Sequence, residues 1–351
     1  RSPVIQLDLD GGLGDDLVKV TMPVATQGGD DREPIDPAER RAPVSLRYDS
    51  RAGTDAFELI GGDAAEQYDI RAFDDPERGR SFEFAATDLG TGNPLVDAAV
   101  LTVAHVPVNT GAGNDLMQGR ILLDADWNVQ LGDGDDIIEL ETLIGDVFAE
   151  AHYRVDAGEG DNETTIRFGD GEQGVRPPSG ATNVTAEYRS GSGNDRVSFD
   201  WLAHLDRPLA IDVDASTGAG DDTVATSFFD VFFDIDVEID SGDGDDFIDA
   251  VLSSPGPPGL PAGTIELDLS AGAGNDRAAL LLPAVQAARE AAHKVNVDLG
   301  DGDDALELEM HGVPLPEGAK PAEFKPAEFR VASGAGDDTV ATSFFDVFFD
   351  I

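Results

Sequence analysis

The feature that most constrains the fold of this chain is a short glycine-rich loop that occurs ten times in 351 residues. Each copy has the form Gly-x-Gly followed by two residues that are Asp or Asn. The copies begin at Gly12, Gly111, Gly132, Gly158, Gly191, Gly218, Gly242, Gly272, Gly300 and Gly334. From Gly111 onward they recur every 21 to 34 residues. Such self-similarity is typical of repeat proteins whose units stack on one another.

The segments on both sides of the loops predict β-strands. Before many loops apolar and polar residues alternate, as in Ile235-Asp236-Val237-Glu238-Ile239, and an apolar residue usually stands two places beyond the loop. Alternation with period two indicates a half-buried strand. One strand–loop–strand unit does not bury its apolar face alone, whereas stacked units do. We therefore predict an all-β parallel solenoid, similar to a β-roll or β-helix, with the Gly-Asp loops stacked on one edge.

The spacing of the loops divides the chain into three predicted parts. Residues 1–22 form a first solenoid coil. Residues 23–110 begin with a stretch rich in Pro and charge and continue as an irregular β section, or else form a separate small β domain, with a degenerate loop at 52–55. Residues 111–351 form the regular solenoid with an open final coil. Its returns vary in length, and the one at 283–292 has the composition of a helix.

The charge of the chain restricts its partners. Asp and Glu number 71 against 23 Lys and Arg, so the formal net charge is −48. This balance argues against binding to nucleic acid or to an anionic membrane surface. No apolar run reaches the length of a membrane-spanning helix, so membrane insertion is not expected. There is no cysteine, which excludes disulfides and thiolate metal sites.

The loops have the chemistry of a calcium site. Glycines at alternate positions leave backbone carbonyls accessible, and the aspartate that follows supplies a charged oxygen. Ca²⁺ takes about six to eight oxygen ligands, more than one loop offers, whereas two stacked loops share them. Unneutralised loops repel one another at each step of the stack. We therefore expect the calcium-free chain to be largely unfolded.

The stretch Gly11-Gly12-Leu13-Gly14-Asp15-Asp16-Leu17-Val18-Lys19 resembles the nonapeptide GGxGxDxUx of the RTX, or hemolysin-type, calcium-binding family. The other loops fit it with the first Gly replaced. The resemblance implies a β-roll with Ca²⁺ between its turns and export by type I secretion. It also implies that the carboxylate of the last loop residue is the main ligand: Asp16, Asp115, Asp136, Asp195, Asp222, Asp246, Asp276, Asp304 and Asp338.

Other positions of the loops are weaker candidates. The loop at Gly158 ends in Asn162, so its site should be weaker. An acidic residue also precedes the last position in seven loops: Asp15, Asp135, Asp161, Asp221, Asp245, Asp303 and Asp337. In the family the motifs follow one another directly, whereas each coil of this chain has a single motif. This predicts one ladder of calcium sites along one edge of the solenoid. Ten stacked loops would leave nine spaces, or up to about nine calcium ions.

These observations favour a non-catalytic, secreted module, extracellular or at a bacterial cell surface, that is structural or adhesive and becomes rigid on binding calcium. Its partners would be calcium ions and either surface glycans or other copies of itself. Extracellular modules bind calcium with dissociation constants on the order of 10⁻⁴–10⁻³ M. The sequence holds no Gly-x-Ser-x-Gly, phosphate-loop or His-Glu-x-x-His motif. Two alternatives stay open: the calcium-binding portion of a secreted carbohydrate-active enzyme, and a salt-adapted repeat without a specific metal.

Overall fold

A computed structural model describes most of the strands and nine of the ten loops. The described residues are 5–10, 17–21, 44–49, 56–62, 66–75, 79–88, 93–101, 105–122, 126–143, 150–168, 182–201, 209–229, 234–253, 264–283, 293–311 and 327–345. Residues 23–43, the degenerate loop at 52–55 and most of the expected helical return, residues 284–292, lie outside this set.

The described residues form 25 β-strands and no helix. The strands are β1 (Ile5–Asp10), β2 (Leu17–Thr21), β3 (Val44–Asp49), β4 (Ala56–Gly62), β5 (Glu66–Asp75), β6 (Gly79–Asp88), β7 (Asn93–Leu101), β8 (His105–Gly111), β9 (Leu116–Leu122), β10 (Asp126–Gln130), β11 (Ile137–Leu143), β12 (Glu150–Asp156), β13 (Glu163–Phe168), β14 (Thr182–Arg189), β15 (Arg196–Trp201), β16 (Leu209–Ser216), β17 (Thr223–Phe229), β18 (Asp234–Asp240), β19 (Phe247–Ser253), β20 (Ile265–Ser270), β21 (Arg277–Pro283), β22 (His293–Asp298), β23 (Ala305–His311), β24 (Ala327–Ala332) and β25 (Thr339–Phe345).

Two sheets hold all of these strands, one of 14 and one of 11. In the regular part the strand before each loop belongs to the 11-stranded sheet and the strand after it to the 14-stranded sheet. Successive coils pair in parallel and without a slip, so that Val197 pairs with Val224, which pairs with Ile248. The structure thus confirms the all-β parallel solenoid, since each coil adds one strand to each sheet.

The core lies between the two sheets. Along β18 the side chains alternate between exposed and buried, and Ile235, Val237 and Ile239 point inward. Equivalent positions of neighbouring coils stack on one another, because the register does not change from coil to coil. The rings of Phe168 and Trp201, for example, stack with centroids 3.8 Å apart. Burial of these stacked apolar columns is the main contribution to the stability of the fold.

The section before Gly111 interrupts the regular coils. Strands β5, β6 and β7 pair antiparallel within the 14-stranded sheet. In the other sheet β4 pairs directly with β8, in parallel. The larger sheet therefore contains a meander that the smaller one lacks. Whether residues 23–110 are a domain of their own stays a prediction.

The first loop joins the sheets in the opposite sense to the later loops. Strand β1 belongs to the 14-stranded sheet and β2 to the 11-stranded sheet, the reverse of the order around Gly111 and every later loop. The loop itself, with Asp15 and Asp16, lies outside the described residues. The single ladder of ten loops is therefore reduced to nine in the same sense, which leave eight spaces.

Candidate metal centre

The glycines allow the loops to stack at backbone contact. Gly244 has φ +149°, and a Cβ at this position would lie 1.8 Å from the carbonyl oxygen of Gly220 in the preceding coil. Only glycine fits there, because both the conformation and the space exclude a side chain. The backbone N–H of Gly244 in turn donates to the carbonyl of Ala273 in the next coil, at 2.8 Å. The loops thus form a continuous ladder along one edge.

The last residue of each loop forms what we call the inner column: Asp115, Asp136, Asn162, Asp195, Asp222, Asp246, Asp276, Asp304 and Asp338. Its members from Asp115 to Asp304 are at most 2% exposed. From Asp136 to Asp338 each side chain accepts, on Oδ1, a hydrogen bond from the backbone N–H of the equivalent residue one coil earlier. Asp195 donates in this way to Asp222 at 2.7 Å, and Asp222 to Asp246 at 2.8 Å. The column is therefore built into the fold rather than held on mobile surface side chains.

In six members of the inner column the second carboxylate oxygen is buried without a hydrogen-bond partner. This holds for Oδ2 of Asp136, Asp195, Asp222, Asp246, Asp276 and Asp304. Asn162 stands in the same column and makes the same Oδ1 contact, but its Nδ2 donates to the carbonyl of Gly160 at 3.0 Å. By this equivalence Oδ2 of each aspartate faces the carbonyl of the loop's second glycine. Two acceptors that face each other need a proton or a cation between them.

Burial makes the inner carboxylates hard to ionise. Desolvation, partly opposed by the backbone N–H donors, raises the pKa to about 6 for Asp136, Asp222, Asp246 and Asp276. Desolvation likewise raises the pKa of Asp195 and Asp304. At neutral pH the four carboxylates with a pKa of about 6 are ionised against the desolvation penalty, which a neighbouring cation would offset.

The residue before the inner column forms what we call the outer column: Asn114, Asp135, Asp161, Asn194, Asp221, Asp245, Asn275, Asp303 and Asp337. These side chains are exposed, and their hydrogen bonds run in the opposite direction along the solenoid. The N–H of Asp245 donates to Asp221 Oδ1 in the preceding coil at 3.0 Å, and Asp337 donates to Asp303 at 2.9 Å. Because their oxygens already face solvent, these predicted ligands have the weaker claim to a cation.

No three carboxylate or imidazole groups converge on one point anywhere in the described part of the chain. The inner column offers one carboxylate per coil at intervals set by strand spacing. A cation in this column would therefore need backbone carbonyl, hydroxyl or water oxygens for its remaining ligands. Ca²⁺ accepts such mixed oxygen ligands and irregular geometry.

Sequence reasoning missed one position of the ladder. Gly62 pairs with Gly111, and Gln67 pairs with Leu116. Glu66 therefore occupies the register position of Asp115, one coil before the first regular loop, although the sequence around it lacks the second glycine. The degenerate loop predicted at residues 52–55 lies outside the described residues. The sequence signal for this position is that Glu66 stands four residues after Gly62 and directly before a strand-forming segment, as Asp115 does after Gly111.

It also missed the residue before the first glycine of each loop. Several coils carry a hydroxyl there, and the side chains of Thr110, Thr217 and Ser241 are fully buried. Each donates to the carbonyl of the same position one coil later, as Thr217 Oγ1 does to Ser241 at 3.0 Å. This position corresponds to the first Gly of the family nonapeptide, so only its departure from glycine marked it.

The fold and the site together define a parallel β-solenoid with a buried column of carboxylates along one edge. No known protein family and no curated protein matches this chain. Among the described residues no helix combines the length and the apolarity needed to cross a bilayer. Arguments about function therefore start from the site itself.

Proposed function

We propose that this chain is a calcium-binding structural module whose coils share Ca²⁺ ions along the inner column. The observation that supports it is the set of buried Oδ2 atoms without partners, beside an asparagine whose amide satisfies the same position. An unpaired buried carboxylate is strongly destabilising, so a fold that repeats it in six coils calls for a counter-ion.

Calcium fits the donor set better than other common ions. The available atoms are all oxygens, which disfavours zinc and copper. Mg²⁺ demands nearly ideal octahedral geometry, whereas Ca²⁺ tolerates the spacing of stacked strands. The aspartates would each supply a carboxylate oxygen, and the second glycine of each loop a carbonyl. Asn162 lacks the charge, so its coil should bind calcium least well.

Calcium would also couple binding to folding. A chain with a net charge of −48 repels itself in the compact state. Cations bound only by stacked coils stabilise the native state by mass action. We therefore expect a chain that is largely unfolded in chelator and rigid in calcium.

The setting that suits this behaviour is the extracellular space, where calcium is abundant, and we propose a secreted or bacterial surface location. The module is proposed to be non-catalytic, structural or adhesive, and to contact surface glycans or other copies of itself. A secreted carbohydrate-active enzyme and a salt-adapted repeat are the competing functions. The RTX family remains the resemblance that motivates export by type I secretion.

The test is a calcium titration of the whole chain after treatment with chelator, followed by far-UV circular dichroism and native mass spectrometry. We expect β-structure to appear with calcium and several bound ions per chain. Equal molar Mg²⁺ should do much less. A spectrum that does not change with chelator would refute the proposal, and recovery by concentrated KCl alone would favour the salt-adapted repeat. A screen for glycan turnover tests the enzyme alternative.

A matched variant addresses the site directly. Asn162→Asp replaces the one neutral member of the inner column and removes the amide that bonds Gly160. We expect this variant to bind more calcium than the wild type and to be less stable in chelator. Identical calcium uptake by the two proteins would show that the column does not hold the ions.

A further inference from the structure

The residue before the first loop glycine carries a hydroxyl in three consecutive coils, as it also does at Thr110 and Ser333 in the first and last of the nine described loops. Ser190, Thr217 and Ser241 stand there, whereas Leu131, Ala157, Ala271 and Leu299 occupy this position in other coils. Their hydroxyls donate to the carbonyls one coil later: Ser190 to Thr217 at 2.9 Å, Thr217 to Ser241 at 3.0 Å and Ser241 to Ala271 at 3.1 Å. The three form a continuous hydroxyl column inside the ladder.

This hydroxyl column lies against the inner column. Each hydroxyl lies close enough to the carboxylate of its own loop to offset part of the rise in pKa that burial causes: Ser190 for Asp195, Thr217 for Asp222 and Ser241 for Asp246. Thr217 and Ser241 are fully buried, and the three aspartates are at most 2% exposed with Oδ2 unpaired. The carboxylates of Asp136, Asp276 and Asp304 have no hydroxyl contact of this kind, since their coils carry Leu131, Ala271 and Leu299.

A hydroxyl has one proton and two lone pairs. Here the proton goes to the carbonyl of the next coil, and Oδ2 of the carboxylate in the same loop receives none. A lone pair of the hydroxyl is therefore left for a cation at that carboxylate. The hydroxyl, the carbonyl and the carboxylate oxygens then all have a partner. In the coils with Leu or Ala the cation has one ligand fewer.

We propose that Ser190, Thr217 and Ser241 supply hydroxyl oxygens to the cations of the middle coils and make these sites tighter than those of the coils with Leu or Ala. This inference rests on the proposed calcium function. It makes the three middle coils a tight block, which calcium fills before the coils of Leu131, Ala157, Ala271 and Leu299.

The test is calorimetric titration of the full chain with calcium, using Thr217→Val. Loss of a supporting group at a metal site lowers affinity by about 10–100-fold, so we expect the tightest class of sites to weaken by about tenfold. Thr226→Val is the matched control, because Thr226 lies in the same coil, is 1% exposed and has an unpaired hydroxyl among apolar neighbours. It should titrate like the wild type.

A second variant guards against loss of folding. Ala271→Ser adds a hydroxyl next to the block, beside Asp276, and should enlarge the tight class of sites. If Thr217→Val and Ala271→Ser both titrate like the wild type while calcium still binds, the hydroxyl column is not part of the sites, and the proposed function stands. If the wild type takes up no calcium, both proposals are wrong.

Discussion

The inner column predicts an unusual response to removal of one charge at Asp222. Burial raises the pKa of this carboxyl from 3.8 to about 6. One pKa unit corresponds to about 1.4 kcal/mol, so ionisation at neutral pH costs at most about 3 kcal/mol. The loop lies at the solenoid edge, where solvent screens charge, and we expect about half of this value. In Asp222→Asn the new amide also reaches the carbonyl of Gly220, as Asn162 reaches Gly160, for about 1 kcal/mol.

We therefore expect Asp222→Asn to stabilise the calcium-free chain by about 1–3 kcal/mol and to destabilise the calcium-loaded chain, which loses a ligand. Most substitutions of buried residues destabilise, so this change of sign with calcium is a specific signature. The assay is far-UV circular dichroism in chelator with increasing trimethylamine N-oxide, which drives folding of an otherwise unfolded chain. The same titration is repeated in excess calcium.

The chain supplies its own control for this experiment. Residues 218–235 and 334–351 are identical, so Asp338 has the same neighbours in sequence as Asp222. Asp338 lies in the last described coil and is only half-buried, however, whereas Asp222 is 1% exposed. Asp338→Asn should change stability by less than about 0.5 kcal/mol in chelator. Destabilisation of Asp222→Asn in chelator, or equal effects of the two substitutions, would refute the reasoning.

Two further predictions use the same structure. In chelator, the raised pKa values of Asp136, Asp222, Asp246 and Asp276 mean that the folded chain holds more protons than the unfolded chain between about pH 4 and 6. In chelator, less trimethylamine N-oxide should therefore be needed to fold the chain as the pH falls from 7 to 4, as monitored by circular dichroism, whereas in calcium acid should weaken the fold. A chain that needs more trimethylamine N-oxide at pH 5 than at pH 7 would contradict this. Val224→Ala should cost about 2–3 kcal/mol of unfolding free energy and Val340→Ala about half as much, because Val224 is fully buried and Val340 is 47% exposed. Urea midpoints in calcium compare the pair, and equal shifts would contradict the assigned burial.

Much of the fold follows from patterns within single coils. Strict alternation in Ile235-Asp236-Val237-Glu238-Ile239 sets one strand, and the apolar residue two places after each loop sets the next. Because period two fixes which side chains face inward, stacking in register is the arrangement that buries them all. The inner column follows as well, since each Asp precedes its strand at a constant distance.

What the sequence did not reveal depends on pairing between distant segments. Glu66 reaches the ladder only because β4 pairs with β8 and β5 with β9, across a meander that no local pattern predicts. The reversed sense of the first loop has the same origin, since it depends on which sheet β1 joins. The hydroxyl column was overlooked because Ser and Thr before a glycine are ordinary turn residues. Their role emerges when equivalent residues of successive coils are placed together.

The outer column shows how the chain limits repulsion at positions that face solvent. Asn recurs at every third loop, at Asn114, Asn194 and Asn275, so no more than two carboxylates are neighbours. The amide of Asn275 also donates to Asp245 at 3.0 Å. Two like charges about 4 Å apart in water repel by about 1 kcal/mol, which dilution with Asn and hydration keep small. The inner column has one asparagine in nine described loops, and its members from Asp115 to Asp304 are at most 2% exposed. Asn thus replaces Asp more often in the outer column, where solvent screens the charges, than in the buried inner column. This is the distribution expected if the buried carboxylates bind an ion.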